Sequence, residues 1–406
     1  MRLLAAAALA FAICGCSTQS VEVPSASSSS SVVPVTASAA SASPTPLATQ
    51  PSASPPQTPS PTPMAITDIS QVFRPLSNGW RPSGPTILVA TADARGNLNL
   101  VGVPFGPSGA SSPPVSIVSF ASSAWDVRPD GGALAVAVAT DRGVRIATFN
   151  FGAGAASWAT PPDPAAPVSM PVWSKDGVWL YYGTGGSTPS NNFAGTVHRI
   201  HPDGTGHNEI ATLERFGGLQ GLTPDGRLLI WSRLQEGGSA ELLDVSTGTS
   251  RHIDDVTGIA SIRARPPRYL LTVGGCCAGF PGGSLALWDD VTLASRTIAA
   301  RTNVPHIGWG AAAWDPGGTR IVAARFDDAS PYRASLGYLD ADTGAFQPIA
   351  GTLGAGRVLW LDEGIVFLTF SQNGDQSELM LLPSSSTAAI SLYKGANMYQ
   401  MVVVRP

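Results

Sequence analysis

The amino-acid sequence predicts an all-β protein, a β-propeller most simply counted as seven four-stranded blades and closed by its C-terminal strand. Three observations predict it. A turn recurs about every 46 residues, as Trp80-Arg-Pro-Ser-Gly84, Trp125-Asp-Val-Arg-Pro-Asp-Gly131, Trp173-Ser-Lys-Asp-Gly177, Leu222-Thr-Pro-Asp-Gly226, Trp314-Asp-Pro-Gly-Gly318 and Trp360-Leu-Asp-Glu-Gly364, and a period of this length carrying several short strands marks a propeller blade. Each turn is followed by short apolar runs separated by Gly, Asp and Pro, the signal of hairpins. No part of this region sustains a helical period.

The blades follow in order. Thr86 to Ala90 and Leu98 to Val103 form the middle strands of the first, Ala133 to Ala139 and Val144 to Phe149 those of the second, and Trp179 to Tyr182 and Thr196 to Ile200 those of the third. Leu228 to Trp231 and Glu241 to Val245 belong to the fourth, which ends in a Ser246-Thr247-Gly248 turn and a short strand to Ile253. In the fifth, Pro266-Pro267-Arg268 replaces the turn, but Tyr269 to Val273 and Ser284 to Trp288 keep the strand pair. Arg320 to Ala324 with Leu336 to Asp340, and Ile365 to Phe370 with Glu378 to Leu382, make the last two. An open ring would leave an unpaired edge. Tyr399 to Val404, ending Val-Arg-Pro like the Trp125 copy, is expected to complete the first blade, with Trp80 to Gly84 as the competing or adjoining strand.

The N-terminal part reads differently. An apolar run from Leu3 to Ile13 has the length of a signal-peptide core, and Ile13-Cys14-Gly15-Cys16 resembles the bacterial lipobox. That resemblance implies a signal peptide over 1–15 and lipidation of Cys16, with the membrane as a partner through the acyl chains. From Ser17 to Met64 the chain is almost entirely Ser, Pro, Ala, Thr and Val with Glu22 as its only charge, a composition that stays disordered and serves as a tether. Residues 16–65 are therefore the anchor and tether, and 66–406 the propeller. An O-glycosylated stalk is the alternative use of the same segment.

Charge excludes one function class. The formal net charge is −4, and Lys175 and Lys394 are the only lysines, so no basic stripe stands ready for phosphates and nucleic acid is not an expected partner. Of the four cysteines, two lie in the signal region and two are adjacent, Cys276-Cys277; the fold cannot depend on a disulfide framework, and the adjacent pair reads either as a vicinal disulfide or as two thiols.

The Trp-Ser-x-Asp-Gly and Pro-Asp-Gly-x-x-Leu copies with a downstream Asp-x-x-Thr-Gly turn resemble the TolB-like, WD-repeat-like β-propeller repeat of secreted bacterial proteins, over most of residues 80–404. The resemblance implies a periplasmic or cell-surface binding scaffold, expected as a monomer. TolB carries an additional N-terminal domain where this chain has a tether. Enzymatic readings meet obstacles in the sequence: no Gly-x-Ser-x-Gly elbow, no extra residue in Ser174-Lys175-Asp176-Gly177 to match a sialidase box, and a Ser391-Leu392-Tyr393-Lys394 that stands without its companion motifs. No catalytic residue is assigned, and the rival to a non-catalytic scaffold is a carbohydrate-active hydrolase or lyase using acids around the central channel.

Turn chemistry competes with metal binding for each candidate ligand. His198, His201 and His207 lie close in sequence, but residues three apart on a strand point to opposite faces and His207 follows the Pro202-Asp203-Gly204 turn, so they read as turn and surface histidines. Asp254-Asp255, Asp289-Asp290 and Asp327-Asp328 sit where Asp bonds its own backbone, with calcium as the alternative occupant; no cofactor or metal site is assigned. The unequal middle loops share one face, where a rigid scaffold presents function. Asn191, Asn192, Asp327, Tyr332, Arg333, Asn373 and Asp375 supply its polar groups, with Cys276-Cys277 in their midst.

Overall fold

The computed structural model describes residues 68–93, 97–122, 124–141, 143–161, 170–185, 194–223, 225–233, 239–254, 256, 258–263, 269–274, 282–303, 305–327, 334–371, 376–398 and 400–406. Their strands form seven antiparallel sheets, the seven expected blades. Six of them read outward in chain order. Blade 2, for example, runs Trp125–Val127, Ala133–Thr140, Gly143–Asn150 and Ala155–Trp158. Blades 3, 4, 5 and 7 begin with Val172–Trp173, Gly218–Leu222, Gly258–Ile262 and Ala355–Leu361 respectively. Blade 6 begins with the long strand His306–Trp314, which also pairs with Thr302–Asn303.

Blade 1 closes the ring. Met401–Val404 pairs with Thr86–Ala92 as its innermost strand, so the two ends of the propeller meet in one sheet. Trp80 to Gly84 takes no strand place. The segment lies outside the sheets, Trp80 packs edge-on against Phe151 at 5.5 Å, and the upstream Phe73–Pro75 instead adds an outer strand to Val115–Phe120. The closing strand wins the inner position because Met401 to Val404 offers an unbroken apolar β-branched run, whereas Trp80-Arg-Pro-Ser-Gly contains a proline that cannot donate to a ladder.

The hydrophobic core lies between blades, as stacked sheets require. Val366, Leu368, Leu379 and Leu381 of blade 7 pack on Ile87, Val89, Val101 and Val103 of blade 1; Leu271, Leu285 and Leu287 of blade 5 pack on Trp314, Ile321 and Ala323 of blade 6. The recurring tryptophans serve these seams. Trp125, Trp173 and Trp314 are buried, and Trp360 packs half-buried on the seam between blades 6 and 7. They are not all equivalent, however. Trp173 faces Leu180 and Trp314 faces Ile321 at the end of the inner strand, where blade 2 has Val127 facing Leu134; Trp125 stands two residues earlier, opposite Val136.

Candidate functional site

The two faces of the disc differ in how the backbone is closed. On one face, the turns after the inner strands place a hydrogen bond from the Gly N–H to a carbonyl three residues back: Gly131 to Arg128, Gly177 to Ser174, Gly226 to Thr223 and Gly318 to Asp315. The turns before the outer strands are built on Asp. The Asp244 carboxylate accepts from Ser246 and Thr247 N–H, Asp289 from Val291 and Thr292, and Asp340 from Asp342 and Thr343. Those bonds favour the charged form and hold each of the three carboxyls below its ordinary range, the hydroxyl and N–H of Ser246 acting first at Asp244 and the Thr292 and Thr343 N–H first at the other two. Arginines tie the turns of adjacent blades. Arg227 Nη2 lies 2.7 Å from the buried Asp290 carboxylate, Arg251 donates to the Val291 carbonyl, and Arg296 reaches Asp342 at 3.1 Å. Arg128 and Arg263 lie over Trp173 and Trp314 of the following blade. Among the described residues, these Asp, Ser, Thr and Arg side chains are engaged by the turns and seams of the face itself.

The opposite face carries the loops between the two middle strands of each blade. Asp327 ends the strand Ile321–Asp327 there and sits 3.7 Å from Arg325 Nη2. Asn191, Asn192, Tyr332, Arg333, Asn373 and Asp375 lie outside the described residues, as do Cys276, Cys277 and Cys16. The exit of the Cys276-Cys277 loop is nevertheless held. Gly283 donates to the Trp309 carbonyl at 2.8 Å and accepts from Trp309 N–H at 2.9 Å, joining blade 5 to the extended inner strand of blade 6. A Cβ on Gly282 would meet that backbone at 2.7 Å, which is why the approach needs glycine.

A cleft of about 420 Å³ opens on this face at the rim of blade 1, lined by Gln71, Val72, Arg74, Asp93, Asn97, Ser119, Phe120 and Ala121. Its size is that of a small-molecule or side-chain pocket. Asp93 is occupied, accepting from Asn97 N–H at 2.9 Å and Nδ2 at 3.2 Å, while Arg74 is exposed. No residue of the cleft stood out in the sequence, because it is assembled from the lead-in to the propeller, the first middle loop and the end of an outer strand.

The innermost strands surround a central channel. They are edges, so their channel-side N–H groups need acceptors. Asp126 Oδ2 accepts from Trp173 N–H of the next blade at 2.8 Å and Oδ1 from Val127 N–H at 2.8 Å. Ser261 Oγ takes the corresponding Trp314 N–H more loosely at 3.4 Å, and Gln400 Nε2 donates to the Trp125 carbonyl at 3.1 Å, clasping the closing strand to blade 2. Burial outweighs the two N–H bonds at Asp126 and pushes its carboxyl up to about 7. Arg357, on the inner strand of blade 7, is exposed to solvent, yet protein crowds around it and pulls its guanidinium below the ordinary value. A glycosidase-like site needs two carboxylates of opposed roles. Among the described residues Asp126 alone has a raised carboxyl, and both of its oxygens are already engaged.

The histidines divide as strand alternation requires, with one exception. His198 stacks on Tyr182 at 5.1 Å and bonds Thr184 Oγ1, while His201 stacks on Trp179 at 3.8 Å. His207, read from sequence as lying beyond the turn, returns to 5.2 Å from His198 because Asn208–Leu213 folds back along Gly195–Ile200. Among the described residues no group of His, Cys, Asp or Glu has the arrangement of a metal site. Ser391 and Lys394 lie on the outer strand Ile390–Gly395 of blade 7, where Lys394 pairs with Glu378 at 3.3 Å.

No protein-family model and no curated protein sequence matches the chain. Solved structures do. A puromycin hydrolase superposes with a TM-score of 0.51 at 17% identity, covering 79% of this chain and 55% of that one, so the present chain spans about half of that enzyme. A 6-phosphogluconolactonase candidate from Bacteroides fragilis gives 0.51 at 15% identity over 79% of this chain and 98% of that one. TolB from Acinetobacter baumannii gives 0.42 at 12% identity over 79% and 67%. At such identities a likeness carries the fold alone, and the fold it carries is the β-propeller, here with seven blades.

Proposed function

We propose that this chain is a lipid-anchored, extracytoplasmic propeller that acts as a non-catalytic scaffold, holding a protein or cell-envelope partner on its loop face. The contrast between the two faces supports the reading. One face spends its Asp, Ser, Thr and Arg side chains on turns and seams; the other presents loops of unequal length on a rigid ring, the usual placement of recognition. The lipobox at Cys16 and the Ser/Pro-rich tether supply the anchor and the reach. Affinity capture from solubilised membranes tests it: the chain with Tyr332→Ala, Arg333→Ala, Asn373→Ala and Asp375→Ala is expected to lose its partner at unchanged melting temperature, and full retention of the partner would remove the loop face from the reading. Cys16→Ala is expected to release the chain into the soluble fraction.

The second reading, a hydrolase or lyase of envelope carbohydrate, draws on Asp126, whose carboxyl near 7 suits proton transfer at neutral pH. Release of reducing ends from envelope polysaccharide by the purified chain, abolished in Asp126→Asn, would put that reading in place of the scaffold.

A further inference from the structure

The arginine clasps that tie blade 4 to blade 5 and blade 5 to blade 6 stop before blade 7. In blade 4, Arg227 directly precedes the strand Leu228–Arg233, and its Nη1 and Nη2 reach the Asp290 carbonyl at 3.0 Å and carboxylate at 2.7 Å in blade 5. The second residue of the outer strand repeats the device. Arg251 of blade 4 donates to the Val291 carbonyl, and Arg296 of blade 5 to the Ala341 carbonyl at 2.8 Å. Blade 6 carries Arg320 and Gln347 at these two places, directly before Ile321–Asp327 and second in Phe346–Pro348. Among the described residues neither side chain bonds a polar group of blade 7, where Pro383-Ser384-Ser385-Ser386 replaces the Asp turns of blades 4 to 6.

A cleft of about 280 Å³ opens at that place, walled chiefly by Arg320, Tyr338, Asp340, Ala345, Phe346 and Gln347. The Arg320 side chain is 65% exposed, against 17% for Arg227, and keeps only Asp315 of its own turn at 3.6 Å. Its guanidinium lies over the rings of Trp360 and Tyr338, at 4.9 and 5.9 Å. Tyr338 and Phe346 are half-buried and Gln347 is exposed. Neither the Tyr338 hydroxyl nor the Gln347 amide bonds protein among the described residues.

We propose that this cleft holds a sugar ring of a neutral glycan. Sugar hydroxyls both donate and accept, as do the Tyr338 hydroxyl and the Gln347 amide, with Arg320 adding donors and the Asp340 carboxylate an acceptor. A few polar groups beside aromatic rings are the usual lining of a small-ligand site, and a volume just under the range of about 300 to 1,000 Å³ suits a short stretch of a longer chain. Acidic ligands meet opposition, because Asp340 stands in the wall, Asp315 lies beside Arg320, and Asp362 follows in the turn after Trp360. An added peptide strand is opposed as well, since the outer strand Phe346–Pro348 is short and ends in proline. The site is separate from the loop face and goes beyond the scaffold reading by giving the chain a glycan ligand of its own.

The test titrates the full-length lipidated chain, in a detergent without a sugar headgroup, with chitohexaose, maltohexaose, hexagalacturonate and hexaglutamate, by calorimetry. At least one neutral oligosaccharide is expected to bind, and which of them does so separates an N-acetylhexosamine polymer from a plain hexose polymer as the source. The two acidic probes are expected to bind at least about tenfold more weakly. Ala345→Trp, which fills the cleft from an exposed position, is expected to lower the affinity at least about tenfold, and Gln347→Ala about fivefold, both at unchanged melting temperature. No binding of either neutral probe, equal binding by wild type and a folded Ala345→Trp, unchanged affinity in Gln347→Ala, or a preference for hexagalacturonate or hexaglutamate would each overturn the proposal.

Discussion

The turn face and the loop face are made from the same seven sheets, yet they use polar side chains in opposite ways. On the turn face, Asp244, Asp289 and Asp340 each satisfy backbone N–H groups, and Arg227 joins blade 4 to the carboxylate and carbonyl of Asp290 in blade 5. On the loop face, Asp327 has Arg325 at a loose 3.7 Å, with both side chains partly exposed. A polar residue that already answers to the backbone cannot be changed for a ligand without loss of stability. The difference teaches that repetition in this chain marks architecture, and the proposed scaffold would meet its partner where repetition stops.

The largest test removes what both faces share. Deleting Met401 to Pro406 strips the inner strand from blade 1 and uncovers Ile87, Leu88 and Val89, which are fully buried. At about 25 cal/mol per Å² the loss is on the order of 5 kcal/mol, comparable with the whole stability of many domains. Cooperative urea unfolding followed by tryptophan fluorescence is expected to disappear; a variant that still unfolds in one sharp transition would mean the ring does not need closure.

The next test sets the faces against each other. Asp290→Ala leaves Arg227 partly buried beside Asp225 alone and is expected to cost about 3 kcal/mol. Asp327→Ala is expected to cost no more than about 0.5 kcal/mol, while weakening partner capture. Equal losses of stability from the two would erase the contrast between the faces.

Sequence showed the turn face well and the channel poorly. Turns are local, so Pro-Asp-Gly and Asp-x-x-Thr-Gly announce themselves, and the strand pairs from Ala133 to Phe149 or Ile365 to Leu382 fall within a few residues of the observed strands. The register of Trp125 was hidden for a different reason. Side chains two apart share a face of a strand, so a period-two pattern serves Trp125 or Val127 equally as the seam residue. Trp80 copied the turn but not the strand, and only the competing C-terminal run reveals it. Asp126 meets Trp173 and Gln400 meets Trp125 only because seven sheets close into a ring, and no local pattern records which residues of neighbouring inner strands meet.

Acidity separates the channel from the turns. Asp340, Asp289 and Asp244 are held below their ordinary range, so their contribution is present above about pH 4 and is lost as pH falls through their folded values. Asp126 is raised, so its contribution is full below about pH 4 and is lost as pH rises through about 7. His252 lies between Glu241 at 2.7 Å and Asp254 at 2.9 Å; burial opposes its charge, but the two acids more than offset it and raise its pKa, so its contribution is full below about pH 6.5 and fades above. Unfolding free energies from urea titration are therefore expected to peak near pH 4 and to decline toward pH 8 by at most a few kcal/mol, most of it between about pH 4 and 7. Asp126→Asn flattens most of that decline and His252→Gln the remainder. A wild-type midpoint rising from pH 6 to 8 would contradict the channel electrostatics.

The smallest effect comes from one irregular member of the turn face. Gly248 and Gly344 occupy the left-handed position of the Asp244 and Asp340 turns, with φ of 72° and 71°, and Leu293 holds the same place in the Asp289 turn at 58°. A side chain in that region is strained by about 1 to 2 kcal/mol, so Leu293→Gly relieves strain. It also gives up the packing of a half-buried leucine against the cluster of Ile253, Val256 and Leu270, and glycine loosens the unfolded chain by about 0.5 to 1 kcal/mol. The terms oppose, and the expected net change is within about 1 kcal/mol of zero. Gly344→Ala has no such offset, because its Cβ would lie 2.6 Å from the Ile298 carbonyl oxygen, and it is expected to cost about 2 kcal/mol. If Leu293→Gly proved as damaging as Gly344→Ala, the leucine would be held there by packing stronger than a half-buried contact, and blade 5 would owe its turn to the seam with blade 4 rather than to its own Asp289.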